Sequence, residues 1–195
     1  VDPDAPVGTV FTVTYDAVDA AGNNAVQATR TVTVVDTTPP VIALNDPGLT
    51  TVEAKGSYNE PGAAANDTVD GAVTVTVGGD TVNPNAPVVM VFTVTYDAVD
   101  AAGTDAVQAT RTVTVVDTTP PVIALNNPEL TTVTQAAQYA EPGATATDLV
   151  DGDVPVTVGG DTVSSSATVG TMFTITYNAV DNAGSAGFVA GVGRD

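Results

Sequence analysis

The sequence predicts an all-β protein built as a tandem array of small two-sheet sandwiches, and three observations carry that prediction. Apolar residues alternate with polar ones in short runs such as VFTVTYDAV and VQATRTVTVV, the period-2 pattern of half-buried strands. The runs are separated by DAAGT, TVDGA, VGGDT and NPNAP, whose Gly, Asn, Asp and Pro favour turns, and no stretch sustains a helical period. The chain also copies itself: Phe11, Phe92 and Phe173 stand 81 residues apart, as do Tyr15, Tyr96 and Tyr177. Self-similarity at a fixed period is the mark of a repeat architecture.

Taken in chain order, residues 1–35 supply two strands and match the closing part of the repeat; residues 11–46 differ from 92–127 at only three positions. The stretch VVDTTPPVIALN, found at 34–45 and again at 115–126, spans the end of one repeat, a DTTPP linker and the first strand of the next. Pro39 and Pro40 fix φ and remove amide donors, so the linker is expected to be extended and semi-rigid. About seven short strands in roughly 80 residues is the spacing of an immunoglobulin-like sandwich of two antiparallel sheets. The expected organisation is a C-terminal half-repeat at 1–35, a complete domain at 36–116 and a further domain at 117–195. In the last of these SAGFVAGVGRD replaces TDAVQATRTVTVV, giving a degenerate final strand with Val192 in the place of Arg111.

Strand alternation sorts the side chains. Phe92, Val94, Tyr96 and Ala98 fall on one face of their strand and Thr93, Thr95 and Asp97 on the other. Val107, Ala109, Val113 and Val115 share a face with Arg111, as their counterparts do with Arg30. A cation on an apolar face needs a partner, and a buried or half-buried pair with a carboxylate such as Glu60 is expected. Tyr15, Tyr96 and Tyr177 are expected to fill the core or form a tyrosine corner rather than stack on sugar.

Composition excludes several functions. Four basic residues against 23 acidic ones give a formal charge of −19, which repels nucleic acid and anionic membrane and attracts cations. No apolar run reaches the roughly 18 residues of a membrane span. The start VDPDAPVGTV lacks the pattern of a signal peptide, so the sequence reads as a mature or excised segment. The absence of cysteine fits a secreted bacterial protein as well as a cytosolic one. The chain has no His, Cys or Trp and a single Lys, which removes the usual nucleophile and base pairs, so it is not expected to be an enzyme.

DTTPPVIALNNPELTTV, YAEPGATATDLVDGDVPVTVGGDTV and FTITYNAVDNAG together resemble the bacterial immunoglobulin-like domains that occur in strings in secreted and surface proteins, akin to the adhesin-type and hyalin-repeat Ig families. The resemblance covers the whole chain. It implies tandem Ig-like β-sandwiches and an extracellular or cell-surface location.

The chemically loaded feature is the set of acidic turns. In an antiparallel sandwich the linker, the second-to-third strand loop and the sixth-to-seventh strand loop share one pole. That gathers Asp36, Asn66, Asp67, Asp70, Asp97 and Asp100 in the middle repeat. In the last repeat it gathers Asp117, Asp148, Asp151, Asp153, Asn178 and Asp181. Hard oxygen ligands without His or Cys point to Ca2+ rather than zinc or copper, although Asp and Asn are also ordinary turn residues and no loop has the EF-hand pattern.

Two functions fit. One is an extracellular structural module, a stalk, adhesin shaft or fibre, whose partners are neighbouring Ig-like domains or copies of itself. The other is an accessory, polysaccharide-binding or spacer module of a secreted carbohydrate-active enzyme, for which Tyr58, Tyr139 and Phe188 are the available aromatics. Residues 23–35 either end a cut repeat or complete the third repeat of a neighbouring copy, joining subunits head to tail with Arg30 near Glu141.

Overall fold

The structure is a computed structural model and describes residues 1–128 and 130–194, the last three of them by backbone only. The elements are β1 (Val10–Tyr15), β2 (Ala28–Thr33), β3 (Val41–Leu44), β4 (Thr51–Glu53), β5 (Ala63–Asp67), β6 (Gly71–Val73), β7 (Val75–Gly79), β8 (Val91–Ala98) and β9 (Ala109–Val116). They continue with β10 (Val122–Leu125), β11 (Ala144–Asp148), β12 (Gly152–Val154), β13 (Val156–Gly160), β14 (Met172–Val180) and β15 (Ala186–Arg194). The protein is all-β, as the alternation predicts, and no helix among the described residues is long and apolar enough to cross a membrane.

By compactness the chain divides into two units. The first comprises Val1–Gly48, Glu60–Thr81 and Thr93–Thr112; the second comprises Leu49–Asn59, Val82–Phe92 and the chain from Val113 on. The strands form small sheets of order β1-β2, β3-β5-β6, β4-β9-β8-β7, β10-β11-β12 and β13-β14-β15. β3 to β9 are seven strands in two of these sheets, and the chain passes from one to the other at Thr74, between β6 and β7. One pairing departs from expectation: β4 runs parallel to β9, Thr51 to Glu53 facing Thr114 to Val116. Alternation specifies which face is buried but carries no information on strand direction.

In the first unit Val94, Tyr96 and Ala98 are buried on one face of β8. In the second, Val52, Ala54, Val113 and Val115 form a core against which Tyr58, Phe92 and Val150 pack. Val107 is 85% exposed, because β9 begins only at Ala109. The β1–β2 hairpin leaves Tyr15 49% exposed, and Arg30 lies over its ring at 5.9 Å instead of in a core. The expected burial of Tyr15 and carboxylate pairing of Arg30 are therefore corrected: this two-stranded sheet has no facing layer among the described residues.

Gly79 ends β7 at φ 76°, and an added Cβ would overlap the Thr93 carbonyl oxygen. Gly79→Ala combines a left-handed backbone with a backbone clash, so it is expected to cost about 1–3 kcal/mol in a denaturant titration. A change within a few tenths of a kcal/mol would show that the turn is not held in this conformation.

The last strand of the third repeat forms within its own chain. Nine residues of β15 pair with β14, from Val180 opposite Ala186 to Met172 opposite Arg194. That occupies the edge a donated strand 23–35 would take. The pairing also corrects the place of Arg111 in this repeat. Val13 faces Arg30 in the first hairpin, and the equivalent Ile175 faces Gly191, so Gly191, not Val192, stands there. The intervening hairpin is shorter by one residue, which a constant period does not reveal.

Candidate cation sites at the linkers

Each acidic site starts from a turn that needs side-chain acceptors. In the D-x-V-D-G turn, Asp67 Oδ1 accepts the Val69 and Asp70 amides at 2.7 and 3.1 Å, an Asx-type cap that orders the loop between β5 and β6. Asp100, just past β8, accepts the Thr104 amide through Oδ1 at 2.6 Å. Asp36 in the linker accepts the Thr38 amide through Oδ1 at 3.0 Å. The turns therefore use one oxygen of each carboxylate and leave the other.

Those second oxygens are the unusual feature. Asp67 and Asp100 are 2% and 7% exposed, and the Oδ2 atoms of Asp36, Asp67 and Asp100 are buried without a hydrogen-bond partner. One carboxylate oxygen from each of these three residues lies within 4.8 Å of the others. Buried anionic oxygens without partners are costly and rare, and like charges this close add to the cost. A cation among them removes both penalties. With Ca2+–oxygen distances of roughly 2.3–2.6 Å, two ligands of one ion lie at most about 5 Å apart, so this spread suits Ca2+. Three carboxylates leave coordination positions for water.

The last repeat builds a related arrangement, with both Asp151 oxygens accepting from Asn182. Asp148 Oδ1 accepts the Val150 and Asp151 amides at 2.7 and 3.0 Å, and Asp181 Oδ1 accepts the Ser185 amide at 2.7 Å. The Oδ2 atoms of Asp148 and Asp181 are buried and unpartnered. Here the three oxygens within 4.8 Å of one another belong to Asp117, Asp148 and Asp151. Val150, in the middle of this turn, packs on the Val52, Ala54, Val113 and Val115 core, fixing the turn beside the linker. Its counterpart Val69 is 56% exposed.

The remaining sequence-predicted residues stand apart. Asp70 Oδ2 accepts the Ala101 amide at 2.7 Å, bracing the two loops at the rim of the first site. Asp97 Oδ1 is taken by Gln108 Nε2 at 2.8 Å, across the hairpin. Asn66 is exposed and its Nδ2 donates to the Asp67 carbonyl at 3.1 Å. Asp153 is exposed in β12, facing Thr147 in the strand register. Asn178 is exposed in β14, facing Phe188. Of the three aromatics considered for sugar binding, Tyr58 packs on the core and Tyr139 donates to Glu141, leaving Phe188 exposed at 63%.

A residue that sequence reasoning passed over holds the second linker. Glu53, at the end of β4, accepts the Thr118 amide and hydroxyl at 2.8 Å each and the Thr119 hydroxyl at 2.9 Å. The Thr118 amide is the leading cause of its depressed pKa. Asp117 is thereby anchored one residue upstream of a triple clamp. The counterpart of Glu53 is Thr134, so the repeat gave no signal for it.

The electrostatics of the second site set its pH response. Burial, then the nearby charges of Asp148, Asp181 and Glu53, push the Asp117 carboxyl above its ordinary value. Asp148 is lowered, chiefly by the Asp151 amide, as Asp67 is by the Asp70 amide. A raised carboxyl contributes stability that is present below its unfolded pKa and lost as pH rises through the folded value. In cation-free buffer Asp117 therefore opposes folding at neutral pH, whereas Asp67 and Asp148 contribute stability that is lost as pH falls through their depressed values. The Asp117 carboxyl 13C resonance is expected to titrate above the ordinary aspartate midpoint without cation and below it with Ca2+. A midpoint unmoved by Ca2+ would contradict this.

Hyalin from Strongylocentrotus purpuratus is 35% identical over 154 residues, covering 72% of this chain and 12% of hyalin. Hyalin from Lytechinus variegatus is 37% identical over 148 residues, covering 71% of this chain and 26% of its own length. The chain thus spans a minor part of these relatives. Among solved structures, the lipoprotein BT2262 from Bacteroides thetaiotaomicron aligns over 80% of this chain and 100% of its own at 15% identity, with a TM-score of 0.34. Residues 42–115, most of the all-β middle repeat, match the model of the bacterial surface protein Ig-like domain family.

Proposed function

We propose that the chain is a non-catalytic, extracellular structural module, part of a stalk, adhesin shaft or fibre, in which Ca2+ held between linker and turns pins each linker to the repeat it enters. The repeats in this reading are 1–35, 36–116 and 117–195, and their partners are neighbouring Ig-like domains. The observation that carries the reading is that both linker aspartates meet turn aspartates with a buried, unpartnered second oxygen: Asp36 meets Asp67 and Asp100, and Asp117 meets Asp148, beside an Asp151 whose oxygens accept from Asn182. An ion there ties the entry of a repeat to its own loops. A spacer built this way resists bending at the position where an extended chain would otherwise be loosest.

The match to a bacterial surface domain family supports the location, and the charge of −19 favours a cation-rich exterior where divalent ions screen it. Antibodies raised against residues 36–116 are expected to label intact, unpermeabilised cells that make the parent protein. Labelling only after permeabilisation would overturn the surface assignment.

A further inference from the structure

In the middle repeat one arginine is held by a frame of four acceptors. The Arg111 guanidinium donates from Nε to the Tyr96 hydroxyl at 3.0 Å, from Nη1 to the Asp46 carbonyl at 2.6 Å and from Nη2 to the Asn45 carbonyl. Its Nε also lies 3.4 Å from Glu60 Oε1. Glu60 accepts the Tyr96 hydroxyl and, at 2.9 Å, the Gly62 amide. Asn45 Nδ2 secures the Pro61 carbonyl at 2.9 Å.

The last repeat keeps this frame. Glu141 accepts the Tyr177 hydroxyl at 2.6 Å and the Gly143 amide at 2.9 Å, and Asn126 Nδ2 secures the Pro142 carbonyl at 2.8 Å. By position the counterparts of the two carbonyls are those of Asn126 and Asn127, and the Asn127 carbonyl accepts the Leu130 amide at 3.2 Å. What it lacks is the arginine, because the strand register puts Gly191 opposite Ile175. In its place is a cavity of about 60 Å3 bordered by Tyr139, Glu141, Tyr177 and Gly191, several times the roughly 10–15 Å3 that one water needs. Glu141 is exposed, whereas the Glu60 side chain is only 25% exposed.

We propose that this cavity of the last repeat is a binding site for a guanidinium cation supplied from outside the repeat. The Glu141 carboxylate and the Tyr139 and Tyr177 hydroxyls, spread along the cavity with Asn127, suit guanidinium better than a compact ammonium, because a planar fork presents its donors in fixed, diverging directions and reaches several oxygens at once. Two sources share this chemistry: an arginine side chain of another polypeptide segment, and a free small guanidinium compound. The exposed strand at 28–33, which contains Arg30, is one segment of this chain that carries the group.

The test follows the ring resonances of Tyr139 and Tyr177 by NMR in the full chain at constant ionic strength. The probes are methylguanidinium, methylammonium and a peptide of residues 23–35. Methylguanidinium at millimolar concentration is expected to shift both rings, with methylammonium at least tenfold weaker. A peptide that binds at least tenfold more tightly than methylguanidinium identifies a polypeptide source, and equal or weaker binding identifies a small-molecule source. Gly191→Arg restores the missing group; its Cβ would lie 3.7 Å from Tyr177 Cε2 and 3.8 Å from Leu125 Cδ1, which are ordinary contacts. That variant is expected to melt higher than wild type and to lose the methylguanidinium response. Glu141→Gln, which keeps the shape of the frame, is expected to weaken the response at least tenfold. No response in the wild type, an equal response to both cations, or a response retained in Gly191→Arg would overturn the proposal.

Discussion

Replacing Arg111 with Met is expected to destabilise the protein by about 3 kcal/mol, the lower part of the range for breaking a buried ion pair. Arg111 is 3% exposed, and its removal takes the cationic partner from Glu60 and a donor from the Tyr96 hydroxyl and the carbonyls of Asn45 and Asp46 in a partly buried site. Met keeps much of the apolar stem, so the loss reports the guanidinium and not an empty volume. The Glu60 side chain is 25% exposed, which lets water reach the stranded carboxylate and holds the cost below the upper limit. Arg111→Met combined with Glu60→Gln is expected to recover part of the loss in a double-mutant cycle. A single-variant loss under about 1 kcal/mol would mean that the pair is replaceable by solvent.

The second large effect is that of Ca2+. An ion that binds only the folded state stabilises by mass action, about 2.7 kcal/mol per site at a free concentration of 100 Kd. For a repeat of this size that corresponds to a rise in Tm of about 10 °C or more over excess chelator at constant ionic strength. Asp100→Asn gives a diagnostic inversion. The amide oxygen can still accept the Thr104 amide, but the unpartnered anionic oxygen is gone. The variant is therefore expected to be at least as stable as wild type in chelator and less stable in Ca2+. Equal melting with and without Ca2+ in the wild type would contradict the cation reading.

The strands were legible because alternation and turn residues both reported them: Val94, Tyr96 and Ala98 are buried on the face that the pattern assigned. Pairing of Arg111 with Glu60 was legible for a related reason, since a cation on an apolar face demands a carboxylate. The gathering of Asp36, Asp67 and Asp100 followed from topology alone, because strand direction fixes which loops share a pole. Asp97 and Asn178 could not be sorted the same way. Both lie within strands, so alternation turns them away from the buried face, while Asp100 and Asp181 lie beyond the strand ends and turn inward. The part played by Glu53 escaped because it is a single residue without a counterpart in the next repeat. Gly191 escaped because a period carried past a shortened hairpin is off by one.

The direct test of the account is a count of bound Ca2+ by isothermal titration calorimetry in low-salt buffer at neutral pH. The account predicts two ions for the wild type, one for Asp67→Asn, one for Asp148→Asn and none for the double variant, with each substituted chain retaining its β-sheet circular dichroism. No saturable binding in the wild type, or a stoichiometry unchanged by these substitutions, would contradict it.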